Sequence, residues 1–230
     1  MLLPLAGRPM LDYLLDRIRE VDEIDELHLV TNARFAAAFS DWAPRDVTVH
    51  DDGTTSNEDR LGAIGDLAFT IEQAGLEGQD LLVVAGDNLI GYSLAEFFDF
   101  WRVKGGSAIA LHEIPDPELL RNYGVVELDR DNRVVGFEEK PAEPMSDLAA
   151  TAAYLYRGGD LDLLPRYLEE GNPHDAPGNF VAWLYSRAPV YGFRFSGEWH
   201  DIGDLGQLLE ADNLLRVRAG LPQRSEYSLD

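Results

Sequence analysis

Asp87 and Asn88 follow a continuous apolar run at residues 81–84, with only Ala85 and Gly86 between. Such a run predicts a β-strand that is buried on both faces, as in a parallel sheet covered by helices. Asp87 would then lie at the carboxyl end of the strand, where open α/β sheets bind ligands. A carboxylate beside an amide suits a divalent cation and the phosphates that it carries. In the alternative interpretation Asp87 only forms a turn, and these residues alone leave both interpretations open.

The elements around this segment alternate between strands and helices in the first half of the chain. Apolar residues at helical spacing predict helices, and short apolar runs predict strands. The predicted helices are 9–20, 34–42, 61–71 and 94–103, and the predicted strands are 27–31, 47–50, 81–84 and 107–112. This alternation predicts the α/β class, as a three-layer α/β/α sandwich with a mostly parallel central sheet.

The pattern changes in the second half of the chain. Residues 124–128 and 134–138 predict a hairpin, and residues 149–156 and 190–195 predict two further strands. Further helices are predicted at 161–169, 179–185 and 204–218, and the residues after Pro222 are predicted to be loose. No repeat or long linker divides the chain, so we predict one domain over residues 1–230.

The composition limits the classes of partner. The chain has 230 residues and a formal charge of −23, from 42 acidic and 19 basic side chains. Such a surface repels nucleic acid and anionic membranes, so we expect neither as a partner. The absence of cysteine excludes disulfides, thiolate metal sites and a Cys nucleophile, and it is compatible with the cytoplasmic location that we expect.

Six short motifs occur in order along the chain. They are L-P-L-A-G-R-P-M-L at 3–11, D-R-L-G-A-I-G-D at 59–66, G-D-N at 86–88, N-Y-G-V-V at 122–126, F-E-E-K-P at 137–141 and W-H-D-I-G at 199–203. Their order and spacing resemble the sugar-1-phosphate nucleotidyltransferase family, which includes the glucose-1-phosphate thymidylyltransferases. The resemblance extends from Leu2 to about Arg218. It implies the nucleotide-diphospho-sugar transferase-like fold, which is of the GT-A type.

The resemblance implies an enzyme that joins a nucleoside triphosphate to a sugar-1-phosphate, releases pyrophosphate and uses Mg²⁺ as its cofactor. In this family the Asp of G-D-N and the Asp of W-x-D-x-G hold the metal, and here these are Asp87 and Asp201. Two carboxylates with phosphate oxygens and waters form a normal Mg²⁺ shell. Asp87 would also contact the nucleotide and act in catalysis, and Gly62 would lie under the nucleotide base. Residues 54–60 replace the family's Q-x-P segment, so the base preference is not carried over.

The implied substrate-binding residues on the sugar side are Tyr123, Gly124, Glu139, Lys140 and Tyr154. Glu139 would accept hydrogen bonds from sugar hydroxyls. Lys140 would act in catalysis as a point charge on the sugar phosphate. The glycine that often precedes the pocket tyrosine by two positions is Ala152 here, which predicts a narrower site.

The start of the chain departs from the family pattern. The family's first strand and its phosphate-binding loop, G-x-G-T-R, are not found in residues 1–230. A start codon placed too late, a truncated protein and a degenerate protein would each explain this. We favour an incomplete N-terminus, because the other site residues are present together. The missing strand is central in the family's sheet, so we expect its neighbours to expose apolar side chains and unpaired backbone groups.

A second hypothesis keeps the fold but not the reaction. It is a non-catalytic regulatory protein that binds a sugar phosphate or a nucleotide without turnover. A nicotinamide dehydrogenase is disfavoured, because no G-x-G-x-x-G follows the first strand. A metal-dependent glycosyltransferase is also disfavoured, because no D-x-D follows residues 81–84. The expected partners are therefore a nucleoside triphosphate and a sugar-1-phosphate, and the resemblance is compatible with a homo-oligomer.

Overall fold

The computed structural model describes residues 1–229, which form twelve strands and nine helices. The strands are β1 (Pro4–Leu5), β2 (Arg8–Pro9), β3 (Leu27–Thr31), β4 (Val47–Asp51), β5 (Leu81–Val84), β6 (Asn88–Ile90), β7 (Ser107–Glu113), β8 (Gly124–Leu128), β9 (Val134–Glu139), β10 (Leu148–Tyr156), β11 (Val190–Arg194) and β12 (Trp199–Asp201). The helices are α1 (Met10–Ile18), α2 (Ala33–Trp42), α3 (Gly62–Ala74), α4 (Leu94–Lys104), α5 (Pro117–Leu120), α6 (Gly158–Leu161), α7 (Leu164–Glu169), α8 (Gly178–Leu184) and α9 (Leu205–Arg218).

The helices near the site begin and end at residues with clear capping chemistry. The Ser93 hydroxyl accepts a hydrogen bond from the backbone N–H of Glu96 (3.2 Å) at the start of α4. Asp204 and Gln207 form a reciprocal capping box at the start of α9. Gly75 ends α3 in the left-handed conformation, with φ of 68°. These local signals explain why the helix boundaries could be predicted closely.

The central sheet has six strands, in the order β11-β7-β10-β8-β9 with β5 paired to β10. It is a mixed sheet, because β10 runs antiparallel to β5, β7 and β8, whereas β11 runs parallel to β7. Separate two-stranded ladders join β3 to β4 in parallel, and β1 to β2 and β6 to β12 antiparallel.

Side chains of the central sheet alternate between two cores, one on each face. Ile109 and Leu111 of β7 belong to the core that α3, α6, α7 and α8 cover. Ala108 and Ala110 of the same strand belong to the core that α1, α2 and α4 cover. The α/β/α layers predicted from the sequence are therefore present, with helices on both faces of the sheet.

The prediction that β5 is buried on both faces is wrong. All four of its residues are partly exposed. Among residues 1–229, β5 pairs only with β10, and its other edge has no partner strand. β3 is also partly exposed along its whole length and pairs only with β4 within the same residues. Each of these two strands therefore has one edge without a partner strand among the described residues.

The prediction that the residues after Pro222 are loose is wrong for the described residues, because polar groups of this segment form hydrogen bonds with the rest of the chain. The backbone N–H of Arg224 donates to Asn213 Oδ1 (2.7 Å), and the Asn213 amide donates back to the Arg224 carbonyl (2.9 Å). The Tyr227 hydroxyl donates to the carbonyl of Pro4 (2.7 Å). The tail therefore packs against α9 and β1.

Further elements differ from the predictions. The helix predicted at 161–169 is divided into α6 and α7, and Pro165 lies in the first turn of α7, where its missing N–H breaks no helical hydrogen bond. The strands β6 and β12 were not predicted, because three residues are too few to show a period.

Among residues 1–229, no helix combines the length and the apolar character that a membrane crossing requires.

Candidate active site

The structure brings Asp87 and Asp201 together through the β6–β12 ladder. Asp201 pairs with Asn88 in the antiparallel register, and the backbone N–H of Ile202 donates to the carbonyl of Asp87 (3.0 Å). Burial raises the pKa of Asp201, and the negative charge of Asp87 raises this pKa further. A cation beside these two carboxylates would stabilise the ionised form of Asp201.

A relay of hydrogen bonds orients the Asp87 carboxylate. The indole N–H of Trp199 donates to Asn88 Oδ1. The amide of Asn88, a residue that is only 4% exposed, donates to Asp87 Oδ1 (2.9 Å). The two motifs G-D-N and W-H-D-I-G therefore meet in space, and Asn88 and Trp199 have an orienting role that the sequence analysis did not assign.

Lys140 follows the end of β9 and lies close enough to Asp201 for its charge to act on that carboxyl. Its backbone N–H donates to the carbonyl of Tyr123 (3.0 Å), and the Tyr123 ring packs against Trp199 with 5.1 Å between ring centroids. The positive charge of Lys140 acts to lower the pKa of Asp201, against the effects of burial and of Asp87. Lys140 has φ of 49°, a left-handed conformation that is costly for a residue with a Cβ. Such strain is typical of residues that are held in place at functional sites.

Glu139 lies beside this group on the β8–β9 hairpin, opposite Gly124 in the ladder. Burial raises the pKa of Glu139, and the charge of Lys140 opposes this change. Tyr154 of β10 is 2% exposed, and burial together with the charge of Glu139 raises the pKa of its hydroxyl. The Tyr154 side chain therefore lies in the interior, close enough to Glu139 to feel its charge.

Gly62 and Ala152, the two remaining predicted positions, have local structural roles. A Cβ on Gly62 would lie 2.6 Å from the carbonyl oxygen of His174, so this residue packs under the backbone of the loop before α8. Ala152 has φ of 51° at a register shift in β10, and its carbonyl accepts the backbone N–H of Ala85 (3.0 Å). A glycine at position 152 would adopt this conformation without strain.

The donor set fits a hard divalent cation that is shared with phosphate. Asp87 and Asp201 offer carboxylate oxygens, which Mg²⁺ prefers. Within residues 1–229, no group of three or more His, Cys, Asp or Glu side chains is arranged to hold a metal. The two aspartates would therefore complete a metal shell only with oxygens of a substrate or water.

This layered fold, in which Asp87 and Asp201 meet through β6 and β12, defines an α/β protein. Comparisons with known proteins identify the family. The nucleotidyl transferase family model matches residues 1–217. This chain therefore belongs to the nucleotidyl transferase family, and the predicted sugar-1-phosphate nucleotidyltransferase membership is confirmed.

Two curated relatives and one solved structure illustrate the similarity. The glucose-1-phosphate adenylyltransferase of Clostridium acetobutylicum is 31% identical over 139 residues, which cover 57% of this chain and 36% of the relative. The bifunctional protein GlmU of Methanocaldococcus jannaschii is 23% identical over 214 residues, which cover 93% of this chain and 48% of the relative. A structure of UDP-glucose pyrophosphorylase complexed with UDP-glucose has a TM-score of 0.78 at 17% identity and covers 94% of this chain and 90% of that chain.

These comparisons confirm the fold class that the sequence predicts. The structural similarity extends over nearly the whole chain, although its sequence identity is low. In contrast, the chain spans only about a third to a half of the length of the curated relatives that it matches.

Proposed function

We propose that this protein transfers a nucleotidyl group from a nucleoside triphosphate to a sugar-1-phosphate and releases pyrophosphate. The observation that carries this proposal is the meeting of Asp87 and Asp201 through β6 and β12, with the charge of Lys140 acting on Asp201. In the reaction an oxygen of the sugar phosphate forms a bond to the α-phosphorus, and the bond from that phosphorus to the pyrophosphate oxygen breaks. Such a reaction needs positioning and charge neutralisation more than covalent chemistry.

The residues in this proposal divide into those that would bind the metal ion, the phosphate and the sugar. Asp87 and Asp201 would hold Mg²⁺, which would supply positive charge beside the triphosphate when bound. Lys140 would neutralise the phosphate of the sugar substrate. Glu139 would accept hydrogen bonds from sugar hydroxyls, and Tyr123 with Gly124 would line the same side of the site.

A pyrophosphate-release assay tests the proposal. The names of the relatives include adenylyltransferase and UDP-glucose pyrophosphorylase, so the panel pairs each common nucleoside triphosphate with glucose 1-phosphate and other sugar-1-phosphates, with Mg²⁺ present. The assay uses residues 1–230 and a protein extended by the upstream reading frame, since residues 1–230 contain no G-x-G-T-R segment. We expect turnover that EDTA abolishes.

The same panel separates the proposal from its alternative. Turnover by either protein with any pair supports a transferase. If neither protein turns over any pair, the transferase proposal fails, and binding of a sugar phosphate or nucleotide measured by calorimetry would then favour the regulatory protein. The single domain, the cytoplasmic location and the homo-oligomer stay predictions from the sequence.

A further inference from the structure

Two glycines from different elements enclose the Glu139 carboxylate. A Cβ on Gly124 of β8 would lie 3.0 Å from Glu139 Oε2 and 2.6 Å from Phe137 Cζ. A Cβ on Gly178, the first residue of α8, would lie 2.6 Å from the same carboxylate oxygen and 2.6 Å from the same ring carbon. Contacts this short are not tolerated, so any larger residue at position 178 would displace the carboxylate, the ring or both.

The enclosed carboxylate has no fixed polar partner. Among residues 1–229 no side chain or backbone group donates a hydrogen bond to it, although burial raises the pKa of Glu139. A half-buried carboxylate without a donor gains most from a ligand that brings hydroxyl groups. The carboxylate oxygen and the Phe137 ring both border the space that a Cβ on Gly124 or Gly178 would occupy.

We propose that Gly178 is a positioning residue for the sugar: with Gly124 it holds the Glu139 carboxylate in the orientation that accepts sugar hydroxyls. This inference rests on the proposed function and adds a residue that no motif of the sequence analysis included. Gly178 has no side chain beyond hydrogen, so what this position contributes here is the space that it leaves for the Glu139 carboxylate and the Phe137 ring. The crowding therefore makes α8, which lies far from β9 in sequence, a determinant of sugar binding.

Gly178→Ala is a clean test of this role. Gly178 does not have a positive φ, so its backbone accepts alanine, and alanine is the residue that most favours a helix. Gly159→Ala in α6 is the matched control, because a Cβ there meets nothing within 4 Å. In calorimetry with glucose 1-phosphate we expect Gly178→Ala to weaken binding about tenfold or more, which is about 1.4 kcal/mol. Both variants should bind the magnesium complex of the nucleoside triphosphate as the wild type does.

A double-mutant cycle shows whether Gly178 acts through the carboxylate. In a Glu139→Ala background, Gly178→Ala should change glucose 1-phosphate binding less than twofold, since the group that it displaces is absent. An equal loss in both backgrounds would overturn the inference and would assign the effect to Phe137 or to α8 itself.

A measurement without ligand separates this inference from the proposed function. In protein carrying ¹³C-labelled glutamate, NMR titration follows the Glu139 carboxyl, whose pKa burial raises. We expect Gly178→Ala to release the carboxylate toward water and to lower this pKa, whereas Gly159→Ala leaves it unchanged. Identical titration in the wild type and in Gly178→Ala would overturn the inference. A wild type that binds no sugar-1-phosphate but shows the expected NMR difference would count against the proposed function only.

Discussion

At the scale of single residues, Trp199 supports the orientation of the Asp87 carboxylate through two successive hydrogen bonds. The Trp199 indole fixes the Asn88 amide, and the amide then fixes one oxygen of the carboxylate. A ligand-binding carboxylate must be held within a few tenths of an ångström to act well, and such support comes from neighbouring hydrogen bonds.

Trp199→Phe keeps the ring but removes the indole donor. We expect about a tenfold loss in kcat, with a higher Mg²⁺ requirement, because the Asn88 acceptor is left without its partner. Trp42→Phe is the matched control, since its indole donates to Asp12 (3.0 Å) on α1 and should leave kcat unchanged. Pyrophosphate release at several Mg²⁺ concentrations checks both variants. Equal kcat and Mg²⁺ dependence in the wild type and in Trp199→Phe would remove the relay from the mechanism.

Lysine is rare in this chain, which makes its presence at position 140 informative. The 19 basic residues comprise 17 arginines and only two lysines, Lys104 and Lys140. Lys140→Met should raise KM for the sugar-1-phosphate about tenfold or more through the lost charge, and Lys140→Arg should restore most of the affinity. Steady-state kinetics provide the measurement. The control is Lys104→Met, because the Lys104 ammonium donates to the Asp131 carbonyl (2.6 Å). This variant should have wild-type kinetics. A similar rise in KM in both Met variants would exclude a specific phosphate contact by Lys140.

At the scale of elements, the register shift in β10 stores strain at Ala152. A left-handed conformation raises the free energy of a folded alanine by about 1–2 kcal/mol. A glycine avoids this strain, but its greater conformational freedom in the unfolded chain lowers the free energy of unfolding by about 0.5–1 kcal/mol. Ala152→Gly should therefore stabilise the fold by about 0.5–1 kcal/mol in chemical denaturation. Ala150→Gly, in the same strand but without a positive φ, should destabilise it. A loss of stability in Ala152→Gly would show that the strand relaxes around the alanine.

Asp66 of α3 forms an acidic pair with Asp52, which follows β4. Burial raises the pKa of Asp66 to about 6, and the charge and hydrogen bond of Asp52 contribute to the same shift. Because this pKa is above the unfolded value, the ionised carboxyl destabilises the fold, and stability falls as the pH rises from about 4 to about 6.

Asp66→Asn should remove this pH dependence. Above pH 6 the variant should be more stable by about 1–2 kcal/mol, a figure reduced for the solvent that reaches this half-exposed carboxyl. Below pH 4 the variant and the wild type should unfold at similar denaturant concentrations. Urea unfolding at several pH values provides the measurement, and a constant difference across the whole range would contradict the assignment.

Some elements of this fold can be predicted from the sequence and others cannot, for physical reasons. Helices with local caps, such as α4 at Ser93, could be predicted closely, because the capping signal lies within a few residues. The short strands that join Asp87 to Asp201 could not be predicted from periodicity, and the resemblance to a family supplied both aspartates. The crowding at Gly178 has no signal in one sequence, because its partners come from β9.

At the scale of the whole molecule, the formal charge of −23 acts against compactness. Salt screens such repulsion, since the Debye length falls from about 10 Å at 0.1 M to about 3 Å at 1 M. At neutral pH we expect Tm to rise by several degrees between these salt concentrations. Near pH 4.4, the sequence pI, the rise should be much smaller. Calorimetric melts compare the two conditions, and equal shifts at both pH values would exclude charge repulsion as the cause.

The open edge of β5 has a consequence for handling the protein. Its sequence, L-L-V-V, is uncharged and β-branched in part, and among residues 1–229 only one edge of this strand is paired. Such an edge can template ladder formation with another molecule, because its backbone donors and acceptors are already aligned. Residues 1–230 should therefore tend to self-associate through this strand in concentrated solution. A tethered or added segment that occupies the free edge of β5 should prevent this self-association.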